Sequence, residues 1–336
     1  MTRNQLNRRD FLQKAGLASL AAAVPATGSD AQAPKPLIWG NLLHLSMNMW
    51  EDWAAPGMEV RYYYPYLRFD EKLWNDLLTR MAAARMNLVV IDLGDGVRYE
   101  SHPEIAVKGA WSVEKLKGEL RKIRDLGLEP IPKLNFSASH DTWLKEYSRC
   151  LSTQKYYQVC ADLIAEVSAI FDRPRFFHLG MDEETAAHQK TYQYVVVRQF
   201  DLWWRDFLFL VGEVQKAGGR PWIWSDYLWH HPKEFFARMP REVLQSNWYY
   251  GTDFGDNAMV KAYDELDARG YDQIPTASNH SHPENFRLTV DYCTRHLAPQ
   301  RLLGFLQTPW RPTIEKYRQH HLAAIAQVGR VIAARK

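Results

Sequence analysis

Eight short apolar runs, each followed by an amphipathic segment, predict an α/β fold of the (β/α)8 TIM-barrel type. Two further observations support it. The alternation fills most of a chain of 336 residues, the right order for a barrel that typically needs about 250. No Gly-x-Gly-x-x-Gly follows the first run and no phosphate loop occurs elsewhere, which leaves the doubly wound open sheet as the runner-up.

The elements follow in order. Strands are expected at 37–45, 88–93, 128–134, 175–179, 221–225, 243–248, 273–277 and 302–306, each too short and too uniformly apolar for an exposed helix. Between them, 70–86 carries Leu73, Trp74, Leu77, Leu78 and Met81 on one helical face. Helices are likewise expected near 112–126, 153–171, 191–217, 256–269, 283–297 and 312–334, with a shorter one near 232–239. Gly127, Gly218-Gly219 and Gly270 stand where helices should stop. Residues 34–336 are therefore read as one barrel domain.

Residues 1–33 are read apart from it. Arg8-Arg9 precedes a mildly apolar run from Ala15 to Val24 and then small residues, with possible cleavage after Ala26 or Ala33. This resembles a twin-arginine signal peptide, and implies export, to the periplasm or beyond, of the mature protein. The run is far shorter than the roughly 20 residues that span a bilayer, and no later stretch replaces it.

The formal charge of +3 is too small to point to nucleic acid or an anionic membrane. Arg3, Arg8, Arg9 and Lys14 against Asp10 and Asp30 place +2 of it in the leader, leaving +1 for the body. A nearly neutral body suits an uncharged substrate. Aromatic content is high, with 13 Trp, 17 Tyr and 14 Phe. Trp stacks well on the C–H face of a sugar, although core packing accounts for most such residues. Cys150, Cys160 and Cys293 show no metal spacing; Cys150 and Cys160 could pair in an oxidising compartment.

Barrel enzymes carry their chemistry at strand C-termini. The fourth strand runs into Gly180-Met181-Asp182-Glu183-Glu184, and adjacent carboxylates at that position suit acid/base work on a polar substrate. The same rim receives Asp95 after strand two, Asn135 and His140 after strand three, Trp224 and Asp226 at strand five, Trp248 at strand six and Trp310 after strand eight. Acids and tryptophans gathered at one rim suggest a carbohydrate site. His178, two residues before a glycine, is equally a core residue.

From His178-Leu179-Gly180-Met181-Asp182-Glu183, which fits His-x-Gly-x-Asp-Glu, the chain resembles glycoside hydrolase family 20, the β-N-acetylhexosaminidases. Asp95-Gly96-Val97-Arg98, Gly127-Leu128-Glu129-Pro130, Trp222-Ile223-Trp224-Ser225-Asp226, Gln245-Ser246-Asn247-Trp248 and Thr308-Pro309-Trp310 extend the likeness in order over most of 37–312. The resemblance implies a retaining exo-glycosidase. Glu183 would be its general acid/base, and Asp182 would orient the 2-acetamido group that attacks the anomeric carbon, one of the exceptions to two-carboxylate hydrolysis. Trp224, Trp248 and Trp310 would wall the sugar pocket, with Asp95, Asn135, His140, His178, Glu184 and Asp226 around it. A neighbouring Asp182 is expected to keep Glu183 protonated. The chain also departs from the family. Trp39-Gly40 stands where an Arg is usual, Asn135 replaces an Asp, Pro312 replaces a Glu, and Ser278-Asn279-His280 stands in place of Tyr-x-Asp.

Two other hydrolase readings and one binding reading compete. A non-acetamido glycan could be cut with Glu183 or Glu184, or the barrel could bind carbohydrate without turning it over. A metal site would need His280-x-His282, His230-His231 or His320-His321, which lack the carboxylate spacing of such sites; His320-His321 reads as a solvated helix face. No metal or cofactor is expected, and the expected partner is a carbohydrate substrate.

Overall fold

A computed structural model describes residues 36–51 and 59–335. The twin-arginine segment lies outside the described residues. The strands are β1 (Ile38–His44), β2 (Leu88–Asp92), β3 (Glu129–Lys133), β4 (Phe176–His178), β5 (Arg220–Trp224), β6 (Leu244–Ser246), β7 (Thr276–Ala277) and β8 (Gly304–Gln307). All pair in parallel, in the order β6-β5-β4-β3-β2-β1-β8-β7. Bridges Gln245–Gln273 and Trp248–Thr276 bring β6 to β7 and close the ring. This is the (β/α)8 barrel the alternation predicts.

The helices are α1 (Glu71–Ala83), α2 (Val113–Asp125), α3 (Gln154–Ile170), α4 (Phe200–Lys216), α5 (Tyr227–His230), α6 (Pro232–Arg238), α7 (Ala258–Ala268), α8 (Asn285–His296) and α9 (Arg318–Ala334). Starts are set by caps: the side chains of Asp70, Ser112, Thr153 and Asn257 accept backbone N–H bonds at α1, α2, α3 and α7. The helix expected from 191 begins only at Phe200. Val195-Val196-Val197 is a β-branched run that resists helix, and the loop 185–199 is fastened instead by Gln189, whose side chain bonds both ways with the Val196 backbone. The three cysteines are free, so Cys150 and Cys160 do not pair. No described helix is long and apolar enough to cross a membrane.

Side chains alternate across each strand. One face packs on the helices, with Val89, Ile91, Phe177 and Ile223 among the outer core. The other fills the barrel with Ile38, Leu42, Leu88, Val90, Ile131, Phe176, Trp222, Leu244 and Leu306. The top interior layer changes character. His44 pairs in register with Asp92, Asp92 with Lys133, and Lys133 with His178. All four are fully or almost fully buried. Lys133 Nζ donates to Asp92 Oδ2 at 2.6 Å, and His44 Nδ1 stands 3.2 Å from the same oxygen. Burial penalises the Asp92 carboxylate, but Lys133 and His44 outweigh it and hold its pKa at about 2. Burial keeps His44 and His178 neutral by pulling their pKa values down. This layer is the floor on which the rim residues stand.

Candidate active site

Above that floor, a cleft of about 330 Å³ opens at the C-terminal rim. Asp182 and Glu183 reach it from the turn that follows β4, and the backbone there is forced. Gly180, Met181 and Glu183 all have positive φ, at 72°, 74° and 55°, conformations that cost energy in any residue but glycine. At Gly180 a Cβ would lie 2.8 Å from the Asn135 Cα and closer still to its side-chain amide. Asn135 uses that space. Its Oδ1 accepts the Ser137 and Met181 N–H groups at 3.1 and 3.2 Å, and its Nδ2 donates to Asp182 Oδ1 at 2.8 Å. The hydroxyls of Ser137 and Ser139 donate to the Asp182 and Glu183 carbonyls. The strained turn is thus clamped from the β3 loop.

His140 joins the two acids. Its Nδ1 is 3.4 Å from Asp182 Oδ1 and its Nε2 3.4 Å from Glu183 Oε2. Burial disfavours the imidazolium, but the charges of Asp182 and Glu183 and their hydrogen bonds raise its pKa to about 10. Glu183 is also 3.3 Å from His188 Nε2. Burial pushes the Glu183 carboxyl up, yet His140 and His188 together hold it well below the ordinary range. This reverses the expectation that Asp182 keeps Glu183 protonated: in the resting site the histidines decide. The carboxyl raised in this cluster is Asp226, to about 7, by burial and by the Asp182 charge. The ligating atoms of His140, Asp182 and Glu183 lie within 4.8 Å of one another, so a small cation would fit there. Among the described residues this is the one such group, and it is none of the His pairs singled out in the sequence.

The remaining sequence candidates divide. Trp224, Trp248 and Trp310 line the cleft. Trp224 and Trp310 lie 5.9 Å apart between ring centres, Trp310 Nε1 donates to Tyr250 Oη at 3.0 Å, and Tyr250 stacks on Trp248 at 4.9 Å. Asp226 stands behind the turn, where its Oδ2 accepts the Glu183 N–H at 2.8 Å. Asp95 is buried beneath the β1 loop, bonded to Ser46 Oγ and Asn48 Nδ2, and burial raises its pKa to about 6. It shapes the loop bearing Met47, Met49 and Trp50 instead of facing the cleft. His178 accepts the Gly180 N–H on Nδ1 and packs against Trp222 and Trp224, the core role that was its alternative.

Glu184 points away altogether. Its oxygens are held by Arg198 Nε and Nη2 at 2.8 and 2.6 Å and by the Ala138 N–H, in a fully buried ion pair. Neither His320 nor His321 is a solvated ligand. His320 Nε2 bonds the Pro309 carbonyl and the buried His321 Nε2 that of Pro312, tying the Trp310 loop to α9. Sequence reasoning missed Trp50, Val60, Arg61, Tyr250 and Arg311, and weighed His280 only as a metal ligand; all six line the cleft. The long β1–α1 connection, 45–70, was the available signal, since connections of that length in compact domains are usually functional.

The barrel and its clamped acid turn define a class: an α/β barrel with paired rim carboxylates in an aromatic cleft. No protein-family model matches the sequence, and no curated protein matches it. Solved structures do match in fold. They include a Streptomyces plicatus N-acetyl-β-hexosaminidase (TM-score 0.61, 14% identity, covering 88% of this chain and 64% of that one). A β-N-acetylhexosaminidase of glycoside hydrolase family 20 from Streptomyces coelicolor is similar (0.59, 13%, 88% and 65%), as is a Flavobacterium johnsoniae chitobiase (0.57, 18%, 76% and 45%). The chain therefore spans about half to two thirds of the length of the structures it resembles. At these identities the likeness establishes the barrel, which is the fold the His-x-Gly-x-Asp-Glu resemblance implied.

Proposed function

We propose that this chain is a retaining glycoside hydrolase acting on β-linked N-acetylhexosamine by substrate assistance. One observation carries the reading: Asp182 and Glu183, bridged by His140, project from a strained turn into an aromatic-walled cleft. Asn135 fixes Asp182 with one oxygen directed, so its carboxylate is pre-set to accept the acetamido N–H and turn the acetamido oxygen toward the anomeric carbon. Glu183 protonates the leaving oxygen. Its proton comes from the His140 pair: a sugar that fills the cleft removes water from Glu183, and a dry site favours neutral imidazole beside neutral carboxylic acid over the ion pair. After the oxazolinium ion forms, ionised Glu183 takes a proton from water as that water attacks. Asp182 stabilises the positive charge throughout. The tryptophans hold the apolar sugar face.

The test compares chromogenic β-glycosides with and without a 2-acetamido group. Turnover should require that group, and a thiazoline analogue of N-acetylhexosamine should bind far more tightly than the parent sugar. Asp182→Asn should weaken analogue binding and turnover together, and Glu183→Gln should cost about 10²–10⁴-fold on poor leaving groups. Cleavage of plain glycosides with no inhibition by the analogue would transfer the site to a non-acetamido mechanism.

A further inference from the structure

The near-neutral body of the chain conceals an uneven cleft. Arg61, from the β1–α1 connection, and Arg311, from the β8–α9 connection, both line the cavity that holds Asp182 and Glu183. β8 lies across the ring from β4, so Arg311 enters the cleft from the rim opposite the acid pair, whereas Arg61 packs over Trp50, itself edge-on to His140, and feels the Glu183 charge. With His140 held as imidazolium between the acids, the lining carries three positive groups against two carboxylates. Burial, with a smaller push from the Arg311 charge and against the pull of Glu183, lowers the Arg61 pKa, and burial together with Arg311, His320 and Arg61 holds His280 at about 4. Like charges gathered around a half-buried cleft are relieved by an anion.

Arg311 is the principal anchor. Its Nη1 donates to the Trp310 carbonyl at 2.9 Å and its guanidinium lies 5.8 Å from the Tyr317 ring centre, and no carboxylate pairs with it among the described residues. Arg61 is engaged by other groups and packs over Trp50 at 5.1 Å, so it contributes field more than a vacant donor. The residue after Arg311 is Pro312, where the resemblance leads one to expect a Glu. A guanidinium presents paired N–H donors suited to carboxylate or sulfate oxygens.

Resting on the hydrolase reading above, we infer that the sugar taken into this cleft is an anionic N-acetylhexosamine, carrying a carboxylate or sulfate ester that Arg311 binds opposite the acid pair. The cavity is of single-residue size, which places the anion on the sugar being cleaved and not on a distant unit of the glycan.

Calorimetric titration of the wild-type protein with N-acetylglucosamine, its 6-sulfate and its 3-O-lactyl ether separates the possibilities. At low salt at least one anionic sugar should bind tenfold or more tighter than the neutral one, and high salt should shrink the ratio. The better of the two identifies sulfate or carboxylate as the source. Arg311→Gln should bring the ratio close to one, while Arg311→Lys, which keeps the charge without the fork, should retain part of it. A neutral sugar that binds as well as both anions, or a ratio unchanged in Arg311→Gln, would overturn the inference. Turnover of the aryl glycosides of the same sugars is measured in parallel. Anion preference without turnover would leave the inference standing and remove the hydrolase reading, and turnover without preference would do the reverse.

Discussion

Replacing Gly180 with alanine tests the clamp under the acid pair. An alanine there must adopt φ near 72°, which costs an L-residue about 1–2 kcal/mol. Its Cβ would also occupy the place of the Asn135 amide, so Asn135 must leave. That side chain makes two bonds to backbone N–H groups and one to a carboxylate, worth about 0.5–1.5 kcal/mol each for the neutral pair and roughly 1.5–3 for the charged one. Together these put the expected loss near 3.5–8 kcal/mol, a large part of the 5–15 kcal/mol that typically holds a domain folded. The assay is denaturant unfolding of Gly180→Ala, Asn135→Ala and the double variant, with turnover of a chromogenic N-acetylhexosaminide measured on each. If both single changes break one clamp, the double variant should be little worse than Gly180→Ala, far from additive. Turnover should fall at least a hundredfold in every variant, because Asp182 loses its orientation. A Gly180→Ala protein with wild-type stability, or fully additive losses, would refute the reasoning.

Three further outcomes are expected. Glu184→Gln should destabilise by about 3–5 kcal/mol, because it strips the buried Arg198 of its main partner, while leaving turnover per folded molecule largely intact; a selective loss of turnover would return Glu184 to the chemistry. Stability, followed by thermal unfolding across pH, should peak at about pH 6–7, because the buried neutral His44, His178, His280 and His321 bind fewer protons folded than unfolded and cost stability as pH falls below 6.5. Asp226, Asp95 and Asp141, raised by burial to about 7, 6 and 8, bind more protons folded than unfolded above pH 4, so their contribution declines as pH rises toward 8. The His140 contribution is complete below its ordinary 6.5 and fades as pH climbs through about 10, while Asp92 and Glu183 lose theirs only as pH drops below about 4; a maximum near pH 9 would contradict these assignments. Chelation with EDTA should leave turnover unchanged, and activity that disappears and returns with a divalent cation would reassign His140, Asp182 and Glu183 as a metal site.

The strands and most helices were legible because burial on both faces of a barrel strand writes itself as a short apolar run, and helices announce their caps. The site was legible in part. Asp182, Glu183, His140, Asn135 and three tryptophans could be placed on the rim by strand counting alone. Asp182, Glu183 and Glu184 look equivalent in sequence, yet the positive-φ residues 181 and 183 turn them in different directions, so Glu184 ends in an ion pair and Glu183 in the cleft. Periodicity carries no information on such a turn. Nor could the sign of the cleft be read from net charge, since Arg61 and Arg311 stand 250 positions apart and meet only because β8 closes against β1.

The polar layer beneath the cleft also bears on how the barrel finds its register. Parallel strands made of valine and isoleucine can slide by two residues and still bury apolar groups, because each side chain returns to the same face. A slip of that kind between β2 and β3 would set Asp92 against Ile131 in place of Lys133. Two charges would then be buried apart, an error costing about 3–5 kcal/mol where a hydrophobic pair would have cost almost nothing. The ion pair adds little to the depth of the native well, but it raises the neighbouring wells, and it does so for the strands that carry His44, Asp92 and Lys133 to the edge of the site. A misaligned barrel would carry the rim residues of β1, β2 and β3 out of step with one another, so the same buried charges that fix the register also fix the level at which the site's loops begin.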